Sequence, residues 1–432
     1  MSEGVTSRPN VILIVVDCLR PDRLGCYGAA GVVTPVIDHL ASRGVMFEQA
    51  IAMGFHTLTT MSALVSGCYP STYGGFKRLA EERPRLPLVL RSLGYKTVAL
   101  SPNPYLSKAR GYGLGFDVFH ECVPNLTPKS TSWKGWAVRG FNRLFRRWGI
   151  GIECPPYLDA RSMTDRVIGW LDVEAEEPFF LWVHYMDVHM PYHLERCVFL
   201  LPRGRGQRPY AYGFWRHLQR EPERVTDEEK SLAQRLYAEG VTFVDTQIGR
   251  LLESLEESGL SERTLVILTA DHGEEFGEHG AFGHSHHLYD ETIRVPLVFS
   301  PWEPKPDGGR ISVQVRQLDL TPTLIELAGG TPLAEMQGVQ DVAGDARSGV
   351  FRLTYDPEMI SLEDLEDRIR DEGLELARRY GHVVWRAAQG LDAQAGQAPE
   401  LHRPDLLRGT QPTEAQAAAK GDTPRPGCSS PG

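Results

Sequence analysis

Val11-Ile-Leu-Ile-Val-Val16, followed at once by Asp17, is the stretch that decides the fold. An unbroken apolar run with no polar alternation suits a strand buried on both faces, as in the interior of a parallel sheet. Working outward, Thr97-Val-Ala-Leu100, Phe179-Phe-Leu-Trp-Val183 and Thr264-Leu-Val-Ile-Leu268 have the same character. Ahead of the last, Val241, Val244, Ile248, Leu251, Leu252 and Leu255 recur at helical spacing, and Gly259 follows as a stop. Alternating strands and helices predict an α/β sandwich around a mostly parallel sheet. In such sheets ligands gather beyond the carboxyl ends of the strands. Asp17 stands at one of those ends, His184, Asp187 and His189 at a second, and Asp271 with His272 at a third. One such residue is an ordinary turn former. Three strands ending on Asp or His point to metal or acid–base chemistry.

The 432 residues are 41% hydrophobic and 24% charged, enough apolar material for one large domain and a small appendage. A net charge of -10 argues against a nucleic-acid partner, which would need a basic face. No run reaches the ~18–20 apolar residues of a membrane span. Val11–Val16 is too short for a secretory h-region, so the expected location is cytoplasmic. The seven cysteines are scattered and suggest neither a disulfide framework nor a zinc ribbon.

Six segments sharpen the picture. Pro9-Asn-Val-Ile-Leu-Ile-Val-Val-Asp17-Cys-Leu-Arg20-Pro-Asp22 resembles the opening of the sulfatase branch of the alkaline phosphatase superfamily. Thr34-Pro35-Val-Ile-Asp38, Ser66-Gly67-Cys68-Tyr69-Pro70, Ala270-Asp271-His272-Gly273-Glu274, Gly277-Glu278-His279-Gly280 and Tyr289-Asp-Glu-Thr-Ile-Arg294-Val-Pro296 resemble later family motifs, in family order. The resemblance spans about residues 8–340 and implies an alkaline-phosphatase-like catalytic domain. It also implies a divalent-metal-dependent hydrolase of sulfate or phosphate esters.

In that family the nucleophile lies ten residues before the glycine that matches Gly67, which gives Thr57. Cys68-Tyr-Pro-Ser71 looks like a C-x-P-S signature but has no arginine after it. Sulfatases convert a Cys or Ser to formylglycine; Thr cannot be converted, but a metal can activate its hydroxyl. Met61 replaces the usual activating arginine, and Ser101-Pro-Asn103-Pro replaces the GKWHxG segment that binds sulfate. The resemblance therefore implies Asp17, Thr57, Asp271 and His272 as ligands of one divalent ion. Cys18 stands where sulfatases carry a second Asp, so one hard oxygen is lost. That set suits manganese or zinc, with calcium expected of a sulfatase-like site. Asp187-Val-His189 lacks the spacing of two-zinc relatives, so one ion is expected. His189 and His284 are the candidate proton donors. His284 is chosen over His286 and His287 because Gly283 precedes it. Asn103 is a candidate substrate-binding donor.

The expected activity is cleavage or transfer of a phosphoester of a small molecule, glycan or lipid through Thr57. The alternatives are a true sulfatase, matured at Cys68 or acting through unmodified Thr, and an inactive binding protein. Glu274, Glu275, Glu278 and His279 read as a solvated loop or as support for the site. Within residues 133–151, Trp136, Phe141, Leu144, Phe145 and Trp148 share one helical face, with arginines mostly off it. Such a helix suits a lid, a membrane surface or an acidic contact. Residues 349–388 resemble the second half of a heavy-metal-associated ferredoxin-like domain without its CxxC, so no metal is assigned there. Gly349–Tyr355 and Val383–Trp385 are its expected strands, with a helix from Ser361 carrying Leu365, Ile369 and Leu374. Residues 391–432 have the composition of a disordered tail.

Overall fold

The structure, a computed structural model, describes residues 8–122, 133–145, 151–153, 157–192, 198–200, 212–284, 286–300, 309–330, 339–345, 350–355, 374–379 and 382–387. Its centre is a nine-stranded sheet. The strands are β1 (Asn10–Val16), β2 (Val45–Ile51), β3 (Lys96–Ser101), β4 (Val118–Glu121), β5 (Phe179–Tyr185), β6 (Thr264–Ala270), β7 (Arg294–Phe299) and the short β8 (Arg310–Ile311) and β9 (Val315–Arg316). Their order is β8-β2-β7-β6-β1-β5-β3-β4, with β9 also on β2. Strands β6, β1, β5, β3 and β4 run parallel, and β7 is antiparallel to both of its neighbours. Every residue of β1, β5 and β6 is buried, as unbroken apolar runs require. Pro296 has no N–H to give, and the pairing of β7 with β2 shifts register there.

Register brings the chemistry together. Val16 is level with Tyr185 on one side and Ala270 on the other. Asp17 and Asp271 therefore emerge side by side. His184 lies within β5 rather than after it, level with Val15.

The helices Pro35–Arg43 and Ala160–Glu174 both pack on Asp227–Glu257, and Leu86–Ser92 packs with Leu320–Leu327. The 31-residue helix Asp227–Glu257 covers the apolar positions read from the sequence. A capping box starts it: Thr226 Oγ1 accepts from Glu229 N–H and the Glu229 carboxylate accepts from Thr226 N–H. Gly259 after its end has φ 67°, in the left-handed region open to glycine. At Gly240 a Cβ would lie 2.9 Å from the Asp187 carbonyl oxygen, so this helix sits directly under the loop that carries His189.

Toward the C-terminus, β10 (Val339–Asp345), β11 (Val350–Tyr355), β12 (Leu374–Arg379) and β13 (His382–Ala387) form an antiparallel sheet in the order β10-β11-β13-β12. Strands occur at 350–355 and 382–387, where alternation suggested them. Leu374 begins a strand instead of facing the sheet from a helix. The helix expected from Ser361, and residues 391–432, lie outside the described residues.

Candidate active site

Thr57 opens the helix Thr57–Leu64. The cap is His56: its ring Nδ1 accepts from Thr59 N–H at 3.2 Å. Thr57 thus stands at the positive end of the helix, where negative charge on its oxygen is favoured. Its hydroxyl donates to Asp17 Oδ2 at 3.5 Å and lies 3.4 Å from His272 Nε2. Asp17 Oδ2 also meets His184 Nε2 at 3.1 Å and accepts from Asn103 Nδ2 at 3.0 Å. Asn103, expected to face substrate, is engaged with this carboxylate, and its Oδ1 accepts from Tyr105 N–H.

Asp271 and His272 follow β6 into a tight turn. At Gly273 a Cβ would fall 2.0 Å from the Glu291 carbonyl oxygen, so only glycine fits the approach of the two chains. His272 Nδ1 donates to the Gly273 carbonyl at 2.9 Å, which leaves the Nε2 lone pair facing Asp17, Asp271 and Thr57. Asp271 Oδ1 accepts from Cys18 N–H and His272 N–H, whereas Oδ2 is buried with no hydrogen-bond partner. An orphaned carboxylate oxygen, a free imidazole nitrogen, a second carboxylate and a hydroxyl make a donor set that fits a divalent cation.

Cys18, read from the sequence only as the loss of an oxygen ligand, faces the cluster with its thiol. It is completely buried with φ 62°, rare outside glycine. Tyr237 holds this turn, donating to the Cys18 carbonyl at 2.7 Å and accepting from Arg20 N–H at 2.9 Å. The thiol lies 3.2 Å from Asp17 Oδ1, 3.7 Å from His272 Nδ1 and 3.6 Å from His284 Nδ1. A thiol following a strand-end Asp carries no local signal in the sequence; its role emerges only when three distant loops converge.

His189 and His284 border the same place, their ring centres 5.2 Å apart, with His284 4.5 Å from the His272 ring. His287 instead pairs with Glu275, at 3.0 Å. Glu274 and Glu275 are completely buried, which excludes the solvated loop for these two and leaves their other reading, support for the site; Glu274 Oε1 lies 3.2 Å from His284 Nδ1. Cys68 is elsewhere in its contacts: it follows the Thr57 helix, its thiol donates to the Ser66 carbonyl, and burial pushes that thiol up to about 11.

Charge explains the protonation states. Burial pushes the Asp17 carboxyl up, but His189, His184 and His272 outweigh it and hold it well below the usual carboxylate range. Burial lowers the His272 imidazole, and Asp271 and Asp17 more than restore it, so it ends raised. His284 ends lowered, by burial and then by His272, despite Glu274. Burial, then Glu274, Asp17 and Asp271, push the Cys18 thiol well above its ordinary value.

Residues 9–330 match the family profile described as Sulfatase, three-quarters of the chain. The chain belongs to the sulfatase family. Among its relatives, a sulfatase of Formosa agariphila is 26% identical over 363 residues, covering 74% of this chain and 69% of that one. Iduronate 2-sulfatase of Homo sapiens is 28% identical over 346 residues, covering 69% of this chain and 60% of its own length. The solved phosphonate monoester hydrolase of Agrobacterium radiobacter superposes with a TM-score of 0.55 at 22% identity, covering 88% of this chain and 89% of that one. The sulfatase-family fold is thus shared across enzymes named for two kinds of ester. Sulfatases are metal-dependent, and the ligand cluster around Asp17 and Asp271 stands where this sulfatase-family hydrolase would hold its ion.

Proposed function

We propose that this sulfatase-family hydrolase cleaves or transfers phosphoesters, with Thr57 as covalent nucleophile. The observation that carries the reading is the Thr57 hydroxyl at a helix N-terminus, 3.5 Å from Asp17 and 3.4 Å from His272. A threonine has no route to formylglycine, and Cys68 is engaged with Ser66 away from the cluster. Asp17, Thr57, Asp271 and His272 would hold a divalent ion, which would supply Lewis acidity to lower the hydroxyl pKa and offset phosphoryl charge. The Thr57 hydroxyl loses its proton to water, and Oγ1 forms a bond to phosphorus as the bond to the ester oxygen breaks. His189 or His284 gives its proton to the departing oxygen. Water or an acceptor alcohol afterwards displaces Thr57 from phosphorus. Asn103 and His184 hold Asp17 in place through these steps.

The organic part of the substrate is read as a small molecule, glycan or lipid. A lipid source draws support from the helix Trp133–Phe145, where Trp133 and Trp136 are 75% and 67% exposed. Such aromatic side chains suit a membrane surface. Among the described residues no helix is long and apolar enough to cross a membrane. The test is turnover of bis-p-nitrophenyl phosphate and p-nitrophenyl phosphate against p-nitrophenyl sulfate, with manganese, zinc and calcium compared. Preference for a phosphate ester supports the proposal; turnover of the sulfate ester alone refutes it and favours a true sulfatase. No turnover of any ester favours a binding protein.

A further inference from the structure

Three carboxylates, Asp17, Asp271 and Glu274, are completely buried near one another at the sheet edge. Among the described residues their ion-pair partners are all imidazoles: His184, His272 and His284. Burying that much negative charge requires compensating cations. The position built on Asp17, Thr57, Asp271 and His272 answers two of the three. Glu274 is on the other side of Cys18, beside His284, and its Oε2 has no hydrogen-bond partner despite complete burial.

Around Glu274 the donors change character. One ligand atom each from Cys18, His189 and His284 lies within 4.8 Å of the others. Cys18 Sγ and His284 Nδ1 are 3.6 Å apart. Two donors bound tetrahedrally to zinc, at ~2.3 Å for sulfur and ~2.1 Å for nitrogen, stand about 3.6 Å apart. His189 Nδ1 donates to the Met190 carbonyl at 2.6 Å, fixing the ring and leaving Nε2 as a donor to an ion.

We propose that Cys18, His189 and His284, with the Glu274 carboxylate beside His284 balancing their charge, form a second metal site for a borderline-soft divalent ion such as zinc. A thiolate and two imidazoles select zinc or cobalt over magnesium or calcium. The residue read as a lost oxygen ligand of the first ion is thus a ligand of a second. With an ion held there, His189 and His284 would serve as ligands, the ion would supply positive charge beside the departing oxygen, and water would supply the proton that the imidazoles give when the site is empty. The inference rests on the reading of Asp17, Asp271 and His272 as the first site, and counting ions separates the two.

The test uses the full chain, stripped with chelator and reloaded with zinc for elemental analysis or with cobalt for absorption spectra. Wild type should hold two equivalents of zinc, and the cobalt form should show a thiolate charge-transfer band. Cys18→Ser should fall to one equivalent and lose the band. His284→Ala, at the edge of the pocket, repeats the zinc loss should Cys18→Ser fail to fold. Asp271→Asn should fall to one equivalent and keep the band. One wild-type equivalent that survives Cys18→Ser and disappears in Asp271→Asn overturns the second site and leaves the first. One equivalent with the opposite pattern keeps the second site and removes the first. No bound zinc removes both.

Discussion

Thr57 Oγ1 lies 3.4 Å from His272 Nε2, with 215 positions of chain between them. Contact across that distance places the hydroxyl in the ligand cluster instead of on an isolated helix. Thr57→Ala should lower kcat at least ~10³-fold with Tm nearly unchanged, since only a hydroxyl and a methyl are lost. Thr57→Ser keeps the oxygen and should retain measurable turnover. Steady-state kinetics beside thermal melts check both.

Asn103 and His184 act through Asp17. Each contacts Oδ2, at 3.0 Å and 3.1 Å respectively. Asn103→Ala should weaken metal affinity about 10–100-fold, the usual cost of losing a support to a ligand. Titration with manganese or zinc reads this directly, and excess metal should restore part of the activity.

A pH effect comes from Asp245, far from the cluster in function. Its carboxylate accepts from Ile37 N–H at 2.8 Å and Val36 N–H at 3.3 Å, at the start of the helix Pro35–Arg43. Burial outweighs those bonds and pushes the carboxyl up to about 6. The folded chain therefore binds this proton more tightly than the unfolded chain. Its stabilising share is complete below the ordinary carboxylate range and is lost as pH rises through about 6. Asp245→Asn removes that titration. The Tm of the variant minus that of wild type should rise between about pH 4 and pH 7.

Arg83 ties down the loop that follows the helix Thr57–Leu64. Its guanidinium donates to the Tyr69, Pro70, Thr72 and Gly75 carbonyls and to Ser66 Oγ, while 1% exposed. Arg83→Met should cost about 3 kcal/mol or more, because several buried carbonyls lose their donor together. Arg83→Lys should recover only part, since a single ammonium cannot span the fork. Denaturant melts of the three proteins measure the difference.

Much of this was legible in the sequence for a physical reason. Strands buried on both faces must be continuously apolar, so β1, β5 and β6 announced themselves, and the residues following β1 and β6 were readable as an edge. Longer-range facts were not. The burial of Glu274 and Glu275 depends on His284 and His287 folding back over them. The direction of the Cys18 thiol depends on a left-handed turn held by Tyr237, 219 positions away. Asn103 was readable as a donor, but its partner Asp17 comes from another strand end. Local pattern reports burial and periodicity; it does not report which distant side chains will share a pocket.

The most direct measurement is the intact mass of the metal-loaded protein quenched during turnover of a phosphate ester, followed by peptide mapping. The account predicts a transient phosphoryl adduct on the peptide containing residue 57, absent from Thr57→Ala. Sustained turnover by the alanine variant, or an adduct on a different side chain, contradicts it.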